Sequence, residues 1–464
     1  MRVWSGCIGC VAWLALGCGD TSPMAAGGAS AGAKASGGAG ATSSAGAAGT
    51  STGGANAAGT GRAQNGGAQN GGAGQAGGTQ SGGTQNGGTQ SSGAGQAGGG
   101  GMTGKPPAKV NACDGLAAAG VFEEITPPMV KAGIGLKTPD NQTKGGPFAM
   151  AVDPVNLGTL YSGTLFQGVW KSTDCGANWT EIASGTSAMD VNRGMNWTLA
   201  VDPQEPETVY TNSGYGSNGL FKSSDGGVNW TDIWSGKSQP ELGKAFTYNF
   251  ANVIAIDPSD HHHILLTFHE ACLAPHPATC IVESMDAGST WRIIDGEPTW
   301  NGNEGQVIFF LENSSTWLWG SQTNGFWRSA DSGKNWEAIP KMTTSHLQGS
   351  QIVRTADGSF FAAGADGIWR SPDGQAANWK LVPDTGPIVG GIIDTGTTLY
   401  SSTCYFGGFC NPRYLHSPNT DGNTWTALTT SPTLSQGGNL GYDKAHKLLY
   451  SSNLDAGLWR VVVE

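Results

Sequence analysis

Short apolar runs recur through residues 106–464, separated by polar, glycine-rich turns, and they fall into a repeating order of four. The first run of a unit often ends in Asp-Pro, as in FAMAVDP at 148–154, WTLAVDP at 197–203 and VIAIDP at 253–258. The second reads TLYSG, TVYTN, ILLTF, WLWGS, FFAAG, TLYSS or LLYSS, and the third GVWKS, GLFKS, CIVES, GFWRS, GIWRS, YLHS or GLWRV. The fourth opens on a tryptophan: WTEI, WTDI, WRII, WEAI, WKLV, WTAL. Runs of this length between turn residues are the pattern of β-strands. First strands begin near 147, 196, 250, 305, 347, 387 and 437, which makes seven units. Repeats of this period predict a propeller or an array. The seventh unit stops after GLWRVVVE without a fourth strand, while VFEEIT at 121–126 resembles NWTEIA at 178–183 with Phe122 in the place of the tryptophan. The N-terminal strand is therefore expected beside the last one, closing the ring and leaving no open seam. The expected fold class is all-β, a single seven-bladed β-propeller over 106–464.

Between third and fourth strands runs a turn of the form Ser-x-Asp-x-Gly-x-x-Trp. Ser172 to Trp179, Ser223 to Trp230, Ser284 to Trp291 and Ser329 to Trp336 keep this spacing; Ser371 to Trp379 and Ser417 to Trp425 are one residue longer. An Asp side chain accepts hydrogen bonds from turn amides, and glycine takes the positive φ the turn needs. The tryptophan is expected to wedge between neighbouring sheets. This turn resembles the Asp-box, or BNR repeat, of sialidases, xyloglucan-active endoglucanases, sortilin-type receptors and the photosystem II assembly propeller. The resemblance implies that the boxes are structural and lie on the face away from any ligand.

Composition divides the chain. Residues 1–17 resemble a bacterial lipoprotein signal, with Arg2, a short apolar stretch at Ile8 to Leu16, and Ala15-Leu16-Gly17-Cys18 in the place of a lipobox. The stretch is too short for a permanent membrane span. Cys18 is the expected lipidation site; an ordinary secretory signal is the alternative, and either exports the protein. Residues 18–105 are almost wholly Gly, Ala, Ser, Thr, Gln and Asn, which bury too little to order a chain, so a disordered linker is expected. Of nine cysteines, six follow Cys18. Cys272–Cys280 and Cys404–Cys410 can close local loops, and Cys113–Cys175 can lock the ring closure. The net charge of −11 argues against nucleic acid. No motif calls for a cofactor or a metal, and Asp260-His261-His262-His263 reads as a surface turn after VIAIDP.

The loops entering first strands and those joining second to third strands form the face expected to meet ligand. Asp190, Glu270 and Glu304 fall there as candidate catalytic carboxyls, with His269-Glu270 preferred as acid or base and Glu304 as its partner. Arg193, Trp197, His269, Trp300, Tyr405 and Phe406 are candidate ligand-binding residues, and Tyr215 and Tyr248 fall on the same face. Aromatics mixed with amides and acids suit a sugar, although Trp and Phe near strand starts also read as blade packing. Hydrolysis needs two carboxyls roughly 5–5.5 Å apart for retention or ~6.5–9.5 Å for inversion. Resemblance to xyloglucan-active endoglucanases implies a catalytic Asp in the join matching Tyr161 to Gly168, where this chain has Leu165. Those enzymes use two propellers, so their mechanism does not transfer. Resemblance to sialidases implies an arginine trio, for which only Arg193, Arg354 and Arg413 stand outside regular repeat positions. The expectation is an exported, lipid-anchored, monomeric propeller that binds an oligo- or polysaccharide and hydrolyses it if it is an enzyme. The alternative is a non-catalytic protein-binding or assembly propeller at the cell surface.

Overall fold

Strands of four to six residues that present apolar side chains on both faces need a neighbour on each side, and radial stacking of sheets supplies it. In the computed structural model the described residues are 107–235, 237–244, 250–294, 305–321, 325–343, 351–386, 389–403, 413–429, 431 and 439–463. All belong to the second of two compact units, Ala97–Glu464. They form seven four-stranded antiparallel sheets, a seven-bladed β-propeller. Blade 1 comprises Gly145–Val152, Leu160–Leu165, Val169–Ser172 and Thr180–Glu181, and blades 2 to 6 repeat this order.

Blade 7 closes as expected. Its strands Leu440–Asp443, Leu448–Ser452 and Leu458–Val462 are completed by the N-terminal strand Phe122–Glu124, in register Phe122↔Val461, Glu123↔Arg460 and Glu124↔Trp459. Further hydrogen bonds fasten blade 7 to blade 1. Ser452 Oγ donates to the Phe148 carbonyl at 2.7 Å, and the Gly158 N–H donates to Asp443 Oδ2 at 2.6 Å. Trp179 Nε1 donates to the Ile125 carbonyl at 2.7 Å, and Arg460 Nη1 to the Cys175 carbonyl at 2.8 Å. Cys113 and Cys175 are joined across this seam, and Cys272 and Cys280 close a loop in blade 3. Cys404 and Cys410 lie outside the described residues, as does Cys18.

The core is not central but divided among the seams. Successive residues of a strand face opposite sheets, so Leu160 packs toward blade 7 and Tyr161 toward blade 2. One buried cluster fills each of the seven seams, and an eighth lies at the mouth. The strand after an Asp-Pro turn reads as unbroken apolar because both its faces are covered.

The recurrent turns are built as their composition implies. In the first, Asp174 Oδ1 accepts the Ser172 hydroxyl at 2.8 Å and the Asn178 N–H at 2.8 Å, while Oδ2 accepts the Asn178 amide at 2.7 Å. Asp225, Asp286 and Asp331 repeat this set. The tryptophans divide. Trp179 and Trp291 reach a carbonyl of the preceding blade, whereas Trp336 and Trp425 donate to the glycine carbonyl of their own turn. The histidine run is only partly at the surface. His261 is 8% and His263 3% exposed, because the turn packs against blade 2 and its own third strand: His261 Nδ1 meets Asp202 at 2.7 Å, and His263 lies between Asp257 and Glu283.

Candidate functional site

Strand direction decides the faces. Each first strand runs toward its Asp-Pro turn, and the Asp-containing turns between third and fourth strands lie at that same end. The opposite end carries the loops entering first strands and the second-to-third joins; we call it the mouth. The central channel holds a cavity of about 200 Å³ lined by the first strands or their approaches in all seven blades, through residues such as Met150, Trp197, Asn252, Phe309, Gln351 and Asn439. None of its described lining residues is charged. Gln351 Oε1 accepts the N–H groups of Ile392 at 3.2 Å and Leu440 at 3.1 Å, and Nε2 donates to the Leu440 carbonyl at 3.2 Å, tying blades 5, 6 and 7 together. The described lining of this channel offers packing and a binding recess.

Among the described residues, several acids and the exposed ring of Tyr215 sit on the rim of blades 7, 1, 2 and 3. Trp197 is 6% exposed and stacks parallel to Phe250 with centroids 6.4 Å apart, and Phe148 packs edge-on at 4.9 Å. Trp197 is therefore mainly a packing residue, with one edge on the channel. Upon this floor stands Tyr215, 52% exposed, edge-on to Phe250 at 5.0 Å and to His269 at 5.4 Å. Its hydroxyl lies 2.8 Å from His269 Nε2, and His269 stacks on Phe250 at 4.7 Å. Tyr215 is left-handed, φ 54°, an unusual state for a bulky side chain. Its neighbour Gly214 has no room for a side chain, since a Cβ would stand 2.6 Å from Trp197 Nε1. Phe166 and Leu454 are also left-handed, φ 59° and 50°, in the equivalent joins of blades 1 and 7. Strain of this kind concentrates at ligand-contacting surfaces.

The remaining candidates divide as follows. Glu270 lies on the join of blade 3, its side chain 60% exposed, with Oε1 4.0 Å from His269 Nδ1. Asp190 is half-buried on the short helix Ala188–Asn192, and its carbonyl accepts the Ser217 hydroxyl at 2.9 Å. Arg193 ends that helix and pairs with Asp140 at 3.6 Å, joining it to the hairpin of residues 135–144. Asp190, Arg193, Trp197, His269 and Glu270 thus share one rim. Glu304, Trp300, Tyr405 and Phe406 lie outside the described residues. Leu165 is buried in the mouth cluster.

Asp455 is on this rim and was not among the sequence candidates. It follows Leu454 in the join of blade 7, and its Oδ1 accepts the Gly146 N–H at 3.0 Å. The residue is exposed as a whole, yet the packing around its carboxyl desolvates it enough to raise its pKa above the ordinary 3.8, against the opposing effect of that hydrogen bond. The stretch Asn453-Leu454-Asp455-Ala456 lies between LLYSS and GLWRV, so applying the strand order to blade 7 would have placed it here.

No family model matches the sequence. Xyloglucanase Xgh74A of Acetivibrio thermocellus is 32% identical over 284 residues, 58% of this chain and 28% of its own. A xyloglucanase of Paenibacillus sp is 25% identical over 258 residues, 53% of this chain and 21% of its own. A xyloglucanase of Hypocrea jecorina is 24% identical over 317 residues, covering 60% and 35%. The match therefore spans only about a third or less of the length of these curated relatives. Among solved structures, the GH74 enzyme of Niastella koreensis superposes with TM-score 0.50 at 17% identity, over 68% of this chain and 52% of that one. YCF48 bound to D1 peptide gives TM-score 0.50 at 14% identity, over 76% and 100%. These two likenesses bear on the fold.

Proposed function

We propose that the protein is a glycoside-hydrolase-like propeller that binds a xyloglucan-type polysaccharide across its mouth and cleaves it. The observation that carries this reading is Tyr215, an exposed ring braced by Trp197, Phe250 and His269 in a strained backbone state. A rigid aromatic face loses little freedom when the apolar face of a pyranose stacks on it. The neighbouring amides and acids supply partners for hydroxyls, and similarity to several xyloglucanases gives the substrate class. Asp190, Glu270 and Glu304 remain candidate carboxyls, and Arg193, His269, Trp300, Tyr405 and Phe406 candidate contacts. The turns described above are in this reading Asp-boxes of the sialidase-like superfamily. Residues 1–17 export the chain, Cys18 carries lipid, and residues 18–105 act as a leash.

The test is a panel of β-glucans offered to the full chain, with binding and reducing ends both measured. Xyloglucan is expected to bind and to yield reducing ends. Tyr215→Ala is expected to weaken binding tenfold or more, roughly 1.4 kcal/mol, with no fall in melting temperature. Absence of both binding and cleavage across the panel would sink the reading. A protein partner is the second reading, favoured by Leu136, Met189 and Leu273, which are exposed on the same rim at 57%, 83% and 47%. Methionine-bearing surfaces adapt to varied partners. Capture of a peptide by a chain that ignores every glycan would support it.

A further inference from the structure

Asp455 is held where two blades meet. Leu454 anchors the join in the mouth cluster with Phe148, Trp197 and Phe250, which sets the adjoining carboxyl at the edge of the aromatic floor. Its seat is made by two glycines. A Cβ on Gly146 would stand 2.1 Å from the Leu454 carbonyl oxygen, and one on Gly145 would stand 3.2 Å from both Asp455 Oδ1 and the Leu165 side chain. Bare backbone therefore lets the join of blade 7 press against the first strand of blade 1. Oδ1 is fixed by the Gly146 N–H, while Oδ2 has no hydrogen-bond partner among the described residues. No described cation pairs with it, in contrast to Asp140, which faces Arg193.

We propose that Asp455 is the proton donor of the cleavage site, passing its proton to the oxygen that leaves as a glycosidic bond breaks. This rests on the carbohydrate-cleaving reading above. In the step, the bond between the anomeric carbon and the leaving oxygen breaks, and that oxygen takes the Asp455 proton. A water oxygen bonds to the anomeric carbon, and the water's proton passes to a second base and through solvent back to Asp455. Nothing is oxidised or reduced. A donor works from its neutral form, and desolvation of the carboxyl, in a residue that is otherwise exposed, raises its pKa in that direction. One fixed oxygen and one open oxygen give the group a direction.

The experiment compares two substrates on the full chain: xyloglucan, whose leaving alcohol needs a proton, and an aryl oligoglucoside, whose nitrophenolate leaves without one. Asp455→Asn keeps an acceptor for the Gly146 N–H. It is expected to lower kcat on xyloglucan by about 100-fold or more and on the aryl substrate by less than about fivefold, at an unchanged melting temperature. Asp455→Glu, which restores an acid, is expected to regain part of the xyloglucan rate. Unchanged turnover in Asp455→Asn overturns the proposal. So does an equal loss on both substrates with a lower melting temperature, which would make the residue a brace for the seam. Wild-type protein that binds xyloglucan through Tyr215 but cleaves neither substrate overturns the donor and leaves the binding reading standing. Failure of binding as well removes both.

Discussion

His263 shows how one side chain in this fold can set a pH response. Its Nδ1 lies 3.1 Å from Asp257 and its Nε2 3.0 Å from Glu283, and Glu283 is also paired with Arg292. Two acceptors on opposite sides are both satisfied only by imidazolium. Burial disfavours that charge, but the hydrogen bonds and charges of Glu283 and Asp257 outweigh it and hold the pKa above the ordinary 6.5. A raised folded-state pKa means the contribution is complete below the unfolded value and is lost as pH rises through the folded one. Thermal melts from pH 5 to 9 are expected to show wild type losing stability across that window. His263→Gln is expected to be about 3 kcal/mol less stable near pH 6 and nearly flat, the two curves converging at alkaline pH. Parallel curves would exclude the role. This residue also marks a limit of legibility. Three histidines after an Asp-Pro turn look solvated in the sequence, since one of the two carboxylates that meet His263, that of Glu283, comes from a strand 20 residues on.

At the scale of the blade, the turn glycine is set by its neighbour as much as by its own φ. Gly227 is at φ 100°, and a Cβ there would fall 2.2 Å from Ile182 Cδ1, at the end of blade 1. Gly176 stands in the same relation to Ile125, Gly288 to Ile233 and Gly333 to Ile294. The recurrence of a glycine in the turn and an aliphatic three residues after the tryptophan is thus one device seen from two blades. Gly396, φ 95°, has nothing within 4 Å of its would-be Cβ and isolates the backbone cost. Gly396→Ala is expected to cost about 1–2 kcal/mol, and Gly227→Ala about 1–3 kcal/mol more from overpacking. Ile182→Val removes the clashing methyl, so the double variant is expected to be more stable than the two single losses added together. Strict additivity in urea melts would show that the contact does not matter. Turns and strands were legible because the same contacts recur in successive blades and imprint the same residues. The rim was legible only as a location: strand order assigns Asp190, Arg193, His269 and Glu270 to it and can assign Asp455, but the Asp140–Arg193 pair and the bond from the Gly146 N–H to Asp455 join loops with no repeating counterpart.

The whole ring depends on the seam between blades 7 and 1. The resemblance of VFEEIT to NWTEIA located the closing strand, and Phe122 takes the outer-strand aromatic position, with its ring 5.2 Å from Tyr414 of blade 6. Cys113–Cys175 spans 62 residues. Constraining a loop of that length stabilises by about 4 kcal/mol in the chain-entropy account. Cys113→Ser with Cys175→Ser is expected to lower the melting temperature and to expose residues 113–126 to protease before any other strand. Retention of full protease resistance would assign the closure to hydrogen bonds and packing alone.

That closing strand is made first and used last. Glu123 must wait for Arg460, 337 residues further along, before its sheet exists. Any nascent form lacking its final strand is therefore an unlatched circle with an idle β-edge at each end, a form prone to pairing with strangers. The early disulfide answers this hazard: both of its cysteines emerge with the first blade, so in an oxidising compartment the idle strand can be moored beside its eventual berth long before the last blade arrives.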